Sequence, residues 1–422
     1  MDNIFSQLDG LHKTPSNYRT LKILMLCWEY PPNIVGGLSR HVFGLSVHLA
    51  EKGHEVHVLT AINGNLPSFE NMDGVNVHRV KPINQYDDNF LSWIGGLNLA
   101  MAFKAEQLAE EIHFDIIHAH DWLVGSASIV LKETLKIPLL ATIHATEYGR
   151  NNGIHTEMQQ FIHKKEQQLI CESDQIIVCS DYMKDVLNSI FKAKNDKIAI
   201  IPNGIEPVLN ELDTEEILPE LKDQKYIFSI GRIVKEKGFE TIIEAASIAK
   251  EREIDCFFVI AGKGPMLETY RRQINVRNLE SHITFVGYVT DEQRNSLIAG
   301  SELAVIPSLY EPFGIVVLET MILGKPTIVS NTGGMKGIVK HLHTGLLMTP
   351  GDAESMLEQI DFLINHPLKA EEIGEKGRQI VTSLYGWKRI ASETSRVMED
   401  TVLNKRVHTD AQKETPNNLK KV

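Results

Sequence analysis

Short apolar runs alternate with amphipathic stretches along almost the whole chain. The runs at 21–27 (LKILMLC), 54–60 (HEVHVLT), 115–119 (DIIHA), 137–143 (IPLLATI) and 174–180 (DQIIVCS) lack clean in-out alternation, and stretches such as 38–52 between them space their apolar residues as helices do. Strands without alternation, separated by helices, predict a parallel sheet covered on both faces. After 198–207 (IAIIPNGIEP) comes an acidic, strand-poor segment, 208–225, and the pattern restarts with YIFSI, CFFVIAG, HITFVG, ELAVIP and PTIVS. Helical stretches at 238–250 and 265–276 lie among these runs. The fold class is therefore α/β, with two doubly wound, Rossmann-like domains facing across a cleft.

The boundaries are a polar N-terminal extension over 1–20, a first domain over 21–205, a second over 206–385, a helix over 386–404 packing back on the first domain, and a polar, aperiodic tail over 405–422 expected to be disordered. Composition agrees: 422 residues with 43% hydrophobic and 23% charged exceed one ordinary core but suit two. The net charge of -12 divides evenly, with 17 Lys and Arg against 23 Asp and Glu in residues 1–200 and 26 against 32 in the rest. Neither half offers a basic field, so no nucleic-acid partner is expected, and membrane association is at most peripheral. Cys27, Cys171, Cys179 and Cys256 form no CxxC pair, which fits a reduced, cytoplasmic protein. The N-terminus lacks a signal peptide's basic start and apolar stretch, and no segment reaches the roughly 18 apolar residues of a membrane span.

In open α/β sheets ligands bind beyond the carboxyl ends of the strands, so chemistry is sought just after each one. YIFSI runs into GRIVKEKG, where Arg232 and Lys237 suit a diphosphate; a solvated charged loop is the plainer alternative. ELAVIP runs into SLYEPFG, where Pro312 suits a first helical turn and Gly314 lets the backbone approach a ligand. That leaves the N–H groups of Gly314, Ile315 and Val316 for an anion. Glu311 stands just before this end. Glu319 lies about 80° from it if the helix starts there, so that both border one cleft. Gly36 and Gly37 open a helix in YPPNIVGGLSRH, as a ligand loop or as a tight turn. HAHDW places His118, His120 and Asp121 at a strand end. A His-x-His pair is a metal motif, but with no third ligand at useful spacing no metal is expected. His144, in TIHATEYGR beside Thr146, Glu147 and Arg150, is the candidate catalytic residue of the first domain. AGKGP, Tyr288 in VGYV, and NTGG at 331–334 are either ligand loops or structural turns, with Tyr288 a candidate to lie against a base.

The ordered set EPFGIVVLE (an E-x7-E pattern), GRIVKEKG some eighty residues earlier and PNGIE before the second domain resembles the retaining glycosyltransferases of family 4, which have the GT-B fold. The likeness runs over about residues 21–404. It implies a first domain facing the acceptor and a second binding a nucleotide-sugar. Arg232 and Lys237 would hold the donor diphosphate, Glu311 the sugar hydroxyls and Glu319 the ribose, with Phe313 beside them. His144 would stand beside the donor sugar, and Asp121 would orient donor or acceptor. The family uses front-face attack without an established protein nucleophile, so Glu311 is given no such role. No cofactor is implied, since the nucleotide-diphosphate sugar is itself the substrate.

WEYPP with GGL, HAHDW and HATEYGR resemble the glycogen-synthase-like and maltose-phosphate-synthase-like branch. This implies glucosyl transfer to a hydroxyl acceptor, an α-glucan or glucose derivative. The glycogen and starch synthases carry Lys-x-Gly-Gly-Leu followed by Asp, where this chain has Ile34 and Arg40. Three alternatives stand beside this: a glycosyl- or mannosyltransferase acting on a lipid or cell-envelope acceptor, for which 89–104 is apolar enough; a nucleotide-sugar epimerase; and a non-enzymatic nucleotide-sugar sensor.

Overall fold

The computed structural model describes residues 19–34, 36–206, 221 and 224–413, with side chains to residue 407. The expected N-terminal extension, nearly all of the acidic segment and the tail beyond residue 413 lie outside the described residues. The first sheet comprises β1 (Lys22–Leu26), β2 (Glu55–Ala61), β3 (Phe69–Met72), β4 (Val75–Val80), β5 (Ile116–His120), β6 (Leu139–Ile143), β7 (Gln175–Val178) and β8 (Ile198–Ile200). Its order is β3-β4-β2-β1-β5-β6-β7-β8. Every pairing is parallel except that of the edge strand β3 with β4. The second sheet comprises β9 (Ile227–Ile230), β10 (Phe258–Ala261), β11 (Ile283–Gly287), β12 (Leu303–Ile306), β13 (Thr327–Ser330) and β14 (Leu346–Met348), all parallel, in the order β11-β10-β9-β12-β13-β14.

These orders fix where ligands go. In each sheet the winding reverses beside the first strand, between β1 and β5 and between β9 and β12, and the crevice at such a reversal is the binding position of open α/β sheets. The loops that leave those four strands are the Gly36-Gly37 loop, HDW, GRIVKEKG and SLYEPFG. Both cores are apolar, as the strand runs require: Leu24, Leu26, Ile117, Leu139 and Val178 are fully buried in the first domain, and Phe258, Ile260, Val305 and Ile328 in the second.

Three strands were not among the runs named above. β4 reads VNVHRV, in which His78 and Arg79 look like solvent positions, yet both are buried. Arg79 survives there because its guanidinium pairs with Glu70 and donates to the Pro31 carbonyl at 2.9 Å. β3 and β14 are too short and too polar or isolated for a pattern to register.

The C-terminal helix corrects a second expectation. It runs from Trp387 to Lys413, so the first part of the expected disordered tail is helical. It lies on the helix Gly37–Glu51, with Trp387, Ile390, Ala391, Met398 and Val402 in the first domain's core. Trp387 enters a slot cut by two glycines: a Cβ on Gly44 would stand 2.3 Å from the indole and one on Gly204 2.4 Å. Trp387→Ala is expected to cost about 3–5 kcal/mol of stability, as for other buried Trp truncations. Urea unfolding read on first-domain tryptophans checks this, and an unchanged midpoint would contradict the wedge.

Candidate active site

Two loops of the second domain meet first. Lys237 ends a single 3₁₀ turn, Lys235–Lys237, after β9, and its Nζ lies 2.5 Å from Glu311 Oε2 in the loop after β12. The Glu311 carboxylate is buried, so a cation beside it is required rather than optional. Its backbone is fixed as well: Gly334 N–H donates to the Glu311 carbonyl at 2.8 Å, and Gly333 has φ 55° with room for no Cβ, which would stand 2.0 Å from that same oxygen. The NTGG segment is thus the bed on which the EPFG loop rests. Arg232 is half exposed and pairs with Glu236 at 3.3 Å, one turn along its own loop.

The helix that follows starts later than expected. It spans Ile315–Met321 with Gly314 as its N-cap at φ 113°, so Pro312 lies outside it and not in its first turn. The Gly314 carbonyl accepts from Val317 at 3.0 Å and Leu318 at 3.4 Å, which leaves the N–H groups of Gly314, Ile315 and Val316 outside the helical ladder. Glu311 therefore stands on the loop and Glu319 on the helix, and the 80° estimate between them does not apply. The Phe313 ring is packed in the core, 6.0 Å from Tyr385, rather than lining the cleft.

Glu319 is buried in a four-residue charge cluster. Arg294 Nη1 lies 2.9 Å from its Oε1 and Arg40 Nη1 3.5 Å, while Asp291 is 2.5 Å from Arg40 and 2.9 Å from Arg294. Arg40 belongs to the first domain, so this cluster spans the cleft. Burial works against the Arg40 charge, but Glu319 and Asp291 outweigh it and raise its pKa. Tyr288 stands exposed nearby, with Lys263 Nζ 5.4 Å over its ring. AGKGP itself packs tightly against the backbone of Gly231 and Ile233, which is the turn reading of that motif.

The first domain supplies the facing wall. Gly36 and Gly37 open the helix Gly37–Glu51, and a Cβ on Gly37 would lie 3.0 Å from Ile315 of the other domain. Asp121 adopts φ 60° and is buried; its Oδ1 accepts from the His144 N–H at 2.7 Å, so it shapes the loop that carries His144. Burial raises its pKa to about 6, tempered by that same N–H. His144 is half-buried with Nε2 3.1 Å from His120 Nδ1. His118 is interior and pairs with Thr142 Oγ1 at 2.7 Å, so it does not reach the cleft.

Other residues that join the halves were not predicted. Ser180 Oγ donates to the Pro312 carbonyl at 2.6 Å, and the Thr146 N–H reaches Tyr310 Oη at 3.4 Å. Each follows a strand end or neighbours a predicted residue, and that position was the available signal. The absence of a third metal ligand is also corrected: through space, His41, His120 and His144 each bring one ring nitrogen within 4.8 Å of the other two.

The cleft between the two doubly wound domains thus brings a cation-bearing loop, two carboxylates and a histidine wall together at the switch points. Comparison with known proteins identifies the family. The model described as Glycosyltransferase Family 4 matches residues 35–209, and that described as Glycosyl transferases group 1 matches 211–380. An uncharacterized glycosyltransferase of Methanocaldococcus jannaschii is 36% identical over 89% of this chain and 97% of its own. The glycogen synthase of Mycobacterium tuberculosis is 31% identical over 89% and 94%. The sucrose-phosphate synthase of Thermosynechococcus elongatus shares the fold with a TM-score of 0.78 at 24% identity, over 90% of this chain and 99% of that one. The chain belongs to the glycogen-synthase-like glycosyltransferases of GT-B fold.

Beneath the His144 loop, Glu166 is buried and accepts from the Glu147 N–H at 2.7 Å, while its Oε2 has no hydrogen bond and faces His163 Nδ1 at 3.9 Å. Burial raises its pKa from 4.5 to about 8, tempered by that N–H. The folded state thus holds a proton that the unfolded chain releases near 4.5. Stability from this group is greatest on the acid side and falls as pH rises through that window, by at most about 1.4 kcal/mol per pH unit. Glu166→Gln keeps the acceptor and removes the titration, so its stability measured by urea unfolding should fall less between about pH 5 and pH 8 than the wild type's. Equal slopes would contradict the neutral buried carboxyl.

Proposed function

We propose that the protein transfers a hexose, glucose first, from a nucleoside-diphosphate sugar to a hydroxyl of an α-glucan or glucose derivative, with retention at the anomeric carbon and without a catalytic metal. The observation that carries this reading is the Lys237–Glu311 pair at 2.5 Å, a cation and a sugar-binding carboxylate side by side at the second domain's switch point. The donor's diphosphate would lie on Arg232, Lys237 and the N–H groups of Gly314, Ile315 and Val316. There the positive groups take up the charge that develops on the departing nucleotide. Glu311, relieved of part of its hold on Lys237, accepts from sugar hydroxyls, and Glu319 accepts from the ribose with Tyr288 alongside the base.

His144 faces the sugar from the other domain as a neutral imidazole, since burial lowers its pKa to about 3. Asp121 holds the His144 backbone in place. The acceptor approaches along the first domain's loops, where Gly37 and the Gly-Gly turn form the rim. Four free cysteines fit a cytoplasmic, reducing setting, and no helix of the described residues is long and apolar enough to cross a membrane. One observation favours a second reading, with a lipid or cell-envelope acceptor: Phe90, Leu99 and Phe103 are exposed on the helix Phe90–Ala109 of the acceptor-side domain.

The test is a panel of nucleotide-sugars, the UDP and ADP forms of glucose first, assayed for released nucleotide and for incorporated sugar with and without glucan. Sugar incorporation that depends on acceptor is expected; nucleotide release without any transferred sugar would defeat the reading. Arg232→Ala and Lys237→Ala should each lower kcat/KM by roughly 100- to 1000-fold. His144→Ala should abolish turnover yet still bind nucleoside diphosphate, and unchanged turnover there would remove His144 from the mechanism.

A further inference from the structure

Three imidazoles from three separate segments converge beside the cleft. His41 comes from the helix after the Gly-Gly loop, His120 from the end of β5, and His144 from just past β6. His120 Nδ1 and His144 Nε2 are 3.1 Å apart. Two nitrogen ligands at ~2.0–2.1 Å on a tetrahedral ion stand ~3.3 Å from one another, so this edge already has coordination geometry. The His41 ring centroid lies 4.8 Å from that of His144 and 5.7 Å from that of His120.

The second observation is unpartnered, buried nitrogen in this group: His41 is buried beside Asn203, and neither of its ring nitrogens has a hydrogen bond. A buried polar atom left unpaired is destabilising, and a ligand that binds it recovers that cost. His118 touches His120 at 4.2 Å between ring centroids and commits Nε2 to Thr142; its Nδ1 is also buried without a hydrogen bond, but it is not among the three nitrogens that converge.

We propose that His41, His120 and His144 form a transition-metal site of the zinc class, and that an ion bound there inhibits the enzyme. The chemistry of the donor set selects the ion. Three imidazoles without a carboxylate or thiolate favour zinc or copper and not magnesium or manganese, so the magnesium that accompanies nucleotides does not fill the site. Burial lowers the pKa of all three rings, which therefore present the neutral form that ligation needs. The thin outer shell, with His120 Nε2 unpartnered, places affinity roughly 10- to 100-fold below that of a site whose ligands are fully supported. His144 is the least buried of the three, so the ion's open position faces the cleft. Binding removes the His144 side chain from the sugar, and metal and donor exclude one another. The inhibition rests on the proposed transferase role of His144; the binding does not.

The full-length protein is titrated with Co2+ and followed by its visible d–d absorption. One equivalent is expected to give saturable bands that Zn2+ erases and Mg2+ leaves unchanged. The bands are expected to be lost in both His41→Asn and His144→Ala; the second variant, less buried than the first, serves if replacing the ring beside Trp387 prevents folding. No saturable spectrum at millimolar Co2+, or bands unchanged in His144→Ala, overturns the site. In the transfer assay, Zn2+ should abolish turnover with relief at high donor concentration, and full activity with one Co2+ bound overturns the inhibition. If no donor supports transfer while the spectrum appears, the transferase reading falls and the metal site stands.

Discussion

The ion pair between Lys237 and Glu311 is the contact on which the cleft depends. A carboxylate taken out of water costs several kcal/mol unless it is paired and hydrogen-bonded. Here the cost is met at 2.5 Å by a lysine from another loop, with Ser308 Oγ at 3.5 Å. Because one partner follows β9 and the other β12, the pair ties together the two strands between which the second sheet reverses. The loop after β13 supports the same carboxylate from behind, through Gly334 and the Glu311 carbonyl. The cleft is thus held in order by an internal counter-charge.

The other domain is attached to this assembly through contacts on the same short segment. Ser180 donates to Pro312, Thr146 to Tyr310, Gly37 abuts Ile315 and Arg40 reaches Asp291 and Glu319. The Arg40 guanidinium closes a charge network across the cleft that a carboxylate at that position would repel. The Trp387 wedge adds a crossing behind the site, where Ile205 N–H donates to the Tyr385 carbonyl at 2.8 Å.

Much of this was legible in the amino-acid order. Unalternating apolar runs located eleven of the fourteen strands among the described residues, because burial on both faces leaves no polar position to confuse them. The runs failed where burial depends on a partner: β4 looked half-exposed because His78 and Arg79 are polar, and only Glu70 and Pro31 in three dimensions make room for Arg79. Motif spacing singled out Arg232, Lys237, Glu311 and His144, which lie on the loops after β9, β12 and β6, and Glu319, which lies on the helix after β12. It could not find the start of the helix at Ile315, since Pro312 is compatible with a loop as well as a first turn. Nor could spacing gather His41, His120 and His144, which lie on three segments brought together by the sheet order.

The most direct measurement is calorimetric titration of UDP, ADP and GDP into the wild type and into Glu311→Gln. If Lys237 is shared between Glu311 and the donor diphosphate, at least one nucleotide binds the wild type. Glu311→Gln should then bind that nucleotide more tightly, because the lysine is released and a negative charge is gone, although sugar transfer is lost. Failure of all three nucleotides to bind, or weaker binding to Glu311→Gln, would contradict the account.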